Sequence, residues 1–278
     1  MPRTQYKVYQ KRRKKQHVSL LLVLSAAVVI AFGFRSRQMA ENALSAQPLS
    51  VPTPTAVAPL FDETPAEREY VLPASSWYAL QTGLYSDSAS AGEVAGLLTD
   101  RGAPGYVLAQ NGKYRVLIAA YDDQAAADAM RTRLSQHQNV ETIVYRWTGD
   151  EVTLRLSGMT GQLDAAEAGL TLLFQTAPAM RDLAVACDQG EYSADEVIAA
   201  LDSTLSQLDT WEQTIHTCFY MPYPPLVNEL LCVSDAVRDA VLSAQSASGI
   251  TELSAMLKLQ SMSLYERLNT FRSYMLGL

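Results

Sequence analysis

The sequence predicts an α+β protein. A strand-helix-strand-strand-helix-strand unit, with a four-stranded antiparallel sheet and both helices on one face, is followed by an all-α helical bundle and preceded by an N-terminal transmembrane helix. Three observations predict this. Two half-repeats of one pattern open at Trp77 and Lys113, 36 residues apart, each a short alternating strand, a tyrosine and an Ala-rich stretch. Beyond Gln162, apolar residues recur at spacings of three and four through four successive stretches. Between Val18 and Phe34 an apolar run carries no charge.

The charge is unevenly placed. The formal net charge is -7, yet residues 1–37 hold nine Lys/Arg and no acid, which leaves 13 basic residues to set against all 29 acids. Phosphate binding needs clustered cations, so an acidic body of this kind is not a nucleic-acid binder. Residues 1–17 form a basic tail with seven Lys/Arg, and 18–34 the apolar run. At 1.5 Å per residue the run spans roughly 26 Å, near the lower limit for a bilayer helix. The excess of cations before it sets the N-terminus in the cytoplasm. Arg35 and Arg37 follow at once, which favours an uncleaved signal anchor over a cleaved signal peptide. Either reading places the rest of the chain outside the cytoplasm, on a single-pass membrane anchor.

From 38 to 74 no apolar periodicity persists, and Pro48, Pro52, Pro54, Pro59, Pro65 and Pro73 punctuate the stretch. Such a composition buries too little surface to offset ordering entropy. The expectation is a disordered spacer, reaching on the order of 100 Å at about 3.1 Å per residue.

The repeat unit covers 75–148. In its first strand Tyr78, Leu80 and Thr82 alternate with Trp77, Ala79, Gln81 and Gly83, and in its third Tyr114, Val116 and Ile118 alternate with Arg115 and Leu117. Period-two alternation gives each strand one buried face. Ser86-Asp87-Ser88 and Asp122-Asp123 supply N-cap oxygens for the helices. Gly102 stops the first helix, and Asn111-Gly112 forms the hairpin turn between the second and third strands. Right-handed crossovers then put the first and third strands in the centre, both helices on one face, and leave the other face open. Trp77, Gln81, Ile143, Tyr145 and Trp147 alternate onto that open face. For Tyr145 and Trp147, ligand contact and packing against the following domain both stand. Tyr85 and Tyr121, at equivalent places in the two halves, read as core or rim packing.

At these residues the unit resembles the SPOR domain, the sporulation-related repeat of bacterial cell-envelope proteins. That family shows a first strand ending Gln-x-Gly-Ser-Phe and a third strand reading Tyr-Arg-Val-x-Val-Gly-Pro-Phe. The matching segments here are Gln81-Thr82-Gly83-Leu84-Tyr85 and Tyr114-Arg115-Val116-Leu117-Ile118-Ala119-Ala120-Tyr121. Leu84 stands where Ser is common, and Ala119-Ala120 replace Gly-Pro. The resemblance implies binding to peptidoglycan glycan strands stripped of their stem peptides. It implies contacts by Gln81, Arg115 and Ile143, with Leu84 at the place of a contacting serine. The residue types suit the ligand. An amide donates and accepts at once, a guanidinium offers a fixed fork of donors, and Trp77 and Tyr145 supply apolar platforms for sugar rings. The same topology occurs in RNA-recognition modules, but the acidic surroundings and the missing Lys/Arg-Gly-Phe signature exclude that use.

The last region, 152–278, opens with an alternating strand at Val152–Leu156 that either extends the sheet or begins the next domain. Four helices follow: Gln162–Ala186, bent at Pro178; one opened by a Ser193–Glu196 capping box; one starting at Pro224-Pro225; and one after Gly249. The connector Cys218-Phe219-Tyr220-Met221-Pro222-Tyr223 reads as packing at the end of the bundle, with a partner-binding patch as the rival. Cys218 and Cys232 flank this turn, a placement compatible with a disulfide that leaves Cys187 unpaired. No CxxC, HExxH, GxSxG, P-loop or GxGxxG motif occurs.

These readings converge on a non-catalytic peptidoglycan-binding protein of septal or sporulation-associated wall, not an enzyme, needing no cofactor and no metal. Its partners are glycan strands and the membrane, with divisome or wall-remodelling proteins as further candidates. The alternative is an interaction protein whose bundle oligomerises or recruits a wall enzyme while the repeat unit is degenerate.

Overall fold

The structure, a computed structural model, describes residues 64–277. The basic tail, the apolar run at 18–34 and the linker up to residue 63 lie outside the described residues. Among the described residues, no helix is long and apolar enough to cross a membrane.

In chain order the elements are β1 (Pro65–Leu72), β2 (Ser75–Tyr85), α1 (Ser88–Thr99), β3 (Tyr106–Gln110), β4 (Lys113–Tyr121), α2 (Gln124–Gln138), β5 (Ile143–Gly149), β6 (Val152–Met159), α3 (Thr160–Gln189), α4 (Ala194–Cys218), α5 (Pro225–Gln245) and α6 (Ile250–Leu276). The main sheet is antiparallel with order β3-β4-β2-β5, so the opening strands of the two half-repeats are central, as expected. Caps fall where the sequence puts them. Asp87 accepts from Ser90 N at 2.8 Å and Asp123 from Ala126 N at 3.0 Å. Asn111 and Gly112 both have positive φ, 52° and 68°, which matches the hairpin to the right-handed twist of its strands. Helices α1 and α2 cover one face. Leu98, Met130 and Leu134 pack there against Leu80, Ile118 and Tyr121, while Ala91 and Ala95 pack on Val116 beside Tyr85.

The stretch 65–72, expected at the end of the disordered linker, is instead a strand. β1 pairs antiparallel with β6 from Pro65↔Met159 to Leu72↔Val152, forming a second, two-stranded sheet. Thus β6 does not extend the main sheet. The physical reason is a period-two pattern that the flanking prolines obscure. Ala66, Arg68, Tyr70 and Leu72 face α3, with Arg68 on Asp164 (2.6 Å), Tyr70 Oη against Thr171 Oγ1 (3.0 Å) and Leu72 fully buried.

The C-terminal helices begin where the sequence places them. Ser193 and Glu196 close a reciprocal capping box: the Glu196 carboxylate accepts from Ser193 N at 2.8 Å and Ser193 Oγ from Glu196 N at 3.3 Å. Helix α3 continues through Pro178 as one element of 30 residues. The connector after α4 divides: Phe219 and Tyr223 pack against the core, whereas Tyr220 and Met221 are 87% and 78% exposed. Cys187, Cys218 and Cys232 are all free thiols, so the Cys218–Cys232 bridge is absent.

One hydrophobic core runs from the main sheet into the helices. Trp77, Ala79, Leu117 and Trp147 belong to the same buried cluster as Leu170, Leu173, Leu230, Leu257 and Phe271. The boundary expected between 148 and 152 therefore marks no division of the core. The sheet face opposite α1 and α2, expected to be open, is covered at one end by α6.

Candidate glycan-binding face

Three aromatic rings seal the covered end. Trp77 on β2 lies flat on Tyr265 of α6, with ring centroids 4.2 Å apart and 10° between planes. Trp147 on β5 meets the same Tyr265 edge-on at 4.9 Å. Tyr265 Oη also bonds Ser75 Oγ (2.9 Å) and donates to the Trp147 carbonyl (3.2 Å). From α3, the Arg181 guanidinium sits 5.0 Å over the Trp77 ring and pairs with Asp182 at 2.7 Å. On β3, Tyr106 donates to Glu266 of α6. Burial raises the Tyr265 hydroxyl above the ordinary tyrosine range, and pushes that of Tyr106 well above it, where the Glu266 carboxylate reinforces the shift. Trp77, expected as an exposed sugar platform, is thus core, 3% exposed, and Trp147 likewise at 4%.

The uncovered end holds the remaining expected residues. β2 carries a bulge at Gln81–Thr82, where the register against β4 slips: Leu80 faces Ala119, Gln81 faces Leu117, and Gly83 faces Val116. A bulge re-aims side chains. Here it puts Gln81 and Leu84 on one face although they are three residues apart. Gly83 makes the turn of the strand possible, because a Cβ there would lie 2.5 Å from the Tyr85 ring that folds back across it. Leu84 pairs directly with Arg115 on β4. Arg115 Nη1 donates to Gln81 Oε1 at 2.7 Å, joining the two central strands through their polar side chains. Ile143 pairs with Gln81 from the other side, on β5. Tyr145, also on β5, lies with its ring 4.2 Å from the Arg115 guanidinium carbon, and its hydroxyl donates to Gln110 Oε1 at 2.5 Å.

Gln81, Leu84, Arg115, Ile143 and Tyr145 are therefore gathered at one place, and Trp77 is not among them. Leu84 and Ile143 are 49% and 66% exposed, an apolar rim beside a polar centre. Arg115 Nε is buried and has no partner, so the pair holds an unused donor. The pattern of residues gave no sign of Gln110, which is separated from Tyr145 by the two central strands. Its position just before Asn111-Gly112 placed it at the end of an edge strand and nothing more.

Residues 73–146 match the SPOR domain family. The matched region runs from just before β2 to near the end of β5 and contains every residue of the polar centre and its rim. A solved structure, the solution structure of the peptidoglycan binding domain of the B. subtilis cell wall lytic enzyme CwlC, is 24% identical. The match covers 30% of this chain and 91% of that domain, with a TM-score of 0.21. No curated protein matches the chain. The SPOR-matched region leaves β1, β6 and α3–α6 outside it, so the helices that cover one end of its sheet are additions from the rest of the chain.

Proposed function

We propose that the SPOR-matched region binds peptidoglycan glycan strands that have lost their stem peptides, and does so without catalysis. The observation that carries this is the Arg115–Gln81 pair on the two central strands, rimmed by exposed Leu84 and Ile143, within the part of the chain that matches the family. Denuded glycan offers hydroxyl, amide and carboxylate groups over apolar sugar faces. Arg115 brings charged donors in a fixed fork, Gln81 brings an amide that accepts and donates, and the rim takes the apolar faces. Stem peptides would crowd a face already bounded by α6. The apolar run at 18–34 serves as a single-pass membrane anchor, the spacer carries the domain to the wall, and septal or sporulation-associated wall is where stripped strands concentrate it.

Retention of the purified ectodomain on amidase-treated against untreated sacculi tests the reading. Preferential retention on treated sacculi, lost in Gln81→Ala and Arg115→Ala, is the expected result. Equal retention on both, or variants that bind as wild type, sinks it. The burial of Trp77 and Trp147 under Tyr265 favours a second reading, in which the helices are the working part and the sheet is chiefly their support. Under that reading the sacculi retain nothing selectively, and the ectodomain captures a wall enzyme or itself.

A further inference from the structure

The Arg115–Gln81 pair is roofed. Tyr145 starts on β5, one edge of the main sheet, and its hydroxyl reaches Gln110 on β3, the opposite edge, at 2.5 Å. The two central strands lie between, so the phenol ring passes above their side chains. Arg115 sits beneath it, 4.2 Å from the ring centroid, with Nη1 on Gln81 Oε1. Gln81 is only 7% exposed, while its neighbours Leu84 and Ile143 stand in solvent. The Gln81 amide is therefore hidden and Arg115 half-buried while the apolar groups are shown, the reverse of a face ready for a hydroxyl-rich ligand. Beneath the roof Arg115 Nε lacks a partner, a donor that a ligand oxygen would satisfy. One hydrogen bond, to the exposed side chain of Gln110, fixes the ring's far end.

We propose that Tyr145 is a lid over the Arg115–Gln81 pair, latched shut by Gln110, and that a glycan strand reaches the pair only when the latch releases. The inference rests on the glycan reading above. A site that is open only part of the time binds more weakly by the fraction open. Cutting the latch raises that fraction. Tyr145→Phe keeps the ring and its stack on Arg115 and removes only the hydroxyl, and Gln110→Ala removes the acceptor. Each strengthens binding by about fivefold, the factor that corresponds to one neutral hydrogen bond.

Two measurements on the full-length protein test this and separate it from the glycan reading. The first needs no glycan: modification of Arg115 by phenylglyoxal, mapped by mass spectrometry, with exposed Arg101 as the internal reference. Arg115 is expected to react slowly in the wild type and severalfold faster in Tyr145→Phe and in Gln110→Ala. Equal rates in all three overturn the lid. The second is retention on amidase-treated sacculi, with Arg115→Ala as control. Tighter retention of both latch variants, with loss in Arg115→Ala, supports the lid. Retention that falls in the latch variants overturns it and makes Tyr145 and Gln110 simple ligand contacts. If Arg115→Ala binds as wild type, the glycan reading is what fails, and the reactivity of Arg115 alone decides the lid.

Discussion

The indole of Trp77 lies parallel to the phenol ring of Tyr265, 4.2 Å between centroids, across 188 residues of chain. This stack joins the central strand of the main sheet to the last helix. It decides how much of the sheet face a ligand can reach, because everything from Trp77 towards the start of β2 is covered.

Removing that ring should be costly. Tyr265→Ala deletes a buried aromatic that touches both Trp77 and Trp147 and removes the bonds of its hydroxyl to Ser75 Oγ and the Trp147 carbonyl, a loss of about 3 kcal/mol. At this chain length that lowers Tm by roughly 6–12 °C. Tyr265→Phe keeps both ring contacts and loses only the bonds to Ser75 and the Trp147 carbonyl, about 1–2 kcal/mol. Thermal unfolding followed by circular dichroism of the two variants checks the order. Equal losses would show that the hydroxyl, and not the stack, secures the helix.

The repeat unit should not behave as a self-sufficient domain. Cutting the chain to residues 73–148 strips α6 and α3 from Trp77, Leu117 and Trp147, which are buried in the whole protein. The fragment should bind a hydrophobic dye and unfold at a markedly lower denaturant concentration than residues 64–278. A fragment as stable as the parent would show the helices to be a passive cover.

Tyr106 and Tyr265 make the fold sensitive to alkali. Burial raises both hydroxyls, so the folded state keeps protons that the unfolded chain releases from about pH 10 upward. The unfolded state then binds fewer protons, and stability, full below that pH, falls as pH rises beyond it. Tyr106→Phe loses the bond to Glu266 and is less stable at neutral pH, but its decline above pH 10 is shallower. Chemical denaturation between pH 8 and pH 11 reads both slopes, and parallel curves for the two proteins would count against this origin.

Gly149 marks a close approach between the sheet and α6. A Cβ there would lie 2.2 Å from Asn269 Oδ1 and 2.5 Å from Arg272 Nη1, and Arg272 also donates to Ser75 Oγ at 3.0 Å. Gly149→Ala should displace α6 and cost about 1–3 kcal/mol. Its Trp77 fluorescence should shift to the red if the helix lifts from the stack. An unchanged denaturation midpoint would mean that Asn269 and Arg272 rotate away freely.

Much of the architecture was legible because it is written locally. The 36-residue offset, the caps at Asp87 and Asp123, the Asn111-Gly112 turn and the Ser193–Glu196 box each act within a few residues. Each is found where the pattern puts it. β1 was hidden because a strand of alternating Glu, Arg and Tyr between two prolines resembles a spacer until β6 and α3 are present to pair with it. The bulge at Gln81 also escaped, since strict alternation sends Leu84 to the face opposite Gln81. Tyr85 and Tyr121 were read correctly as packing residues, whereas Trp77 was read as a platform and proved to be core.

The sequence by itself determined the order of elements, the two central strands and the segments that carry Gln81, Leu84, Arg115, Ile143 and Tyr145. Alternation, capping and turn chemistry operate over short stretches and need no partner from elsewhere in the chain. Only the tertiary structure decided which part of the sheet stays accessible. That depends on where Tyr265 and Glu266 land, and on Tyr145 reaching Gln110 across the sheet. Such contacts arise from the burial of apolar surface between distant elements, and burial is non-directional: a pattern of residues shows that a face must be covered, not by what.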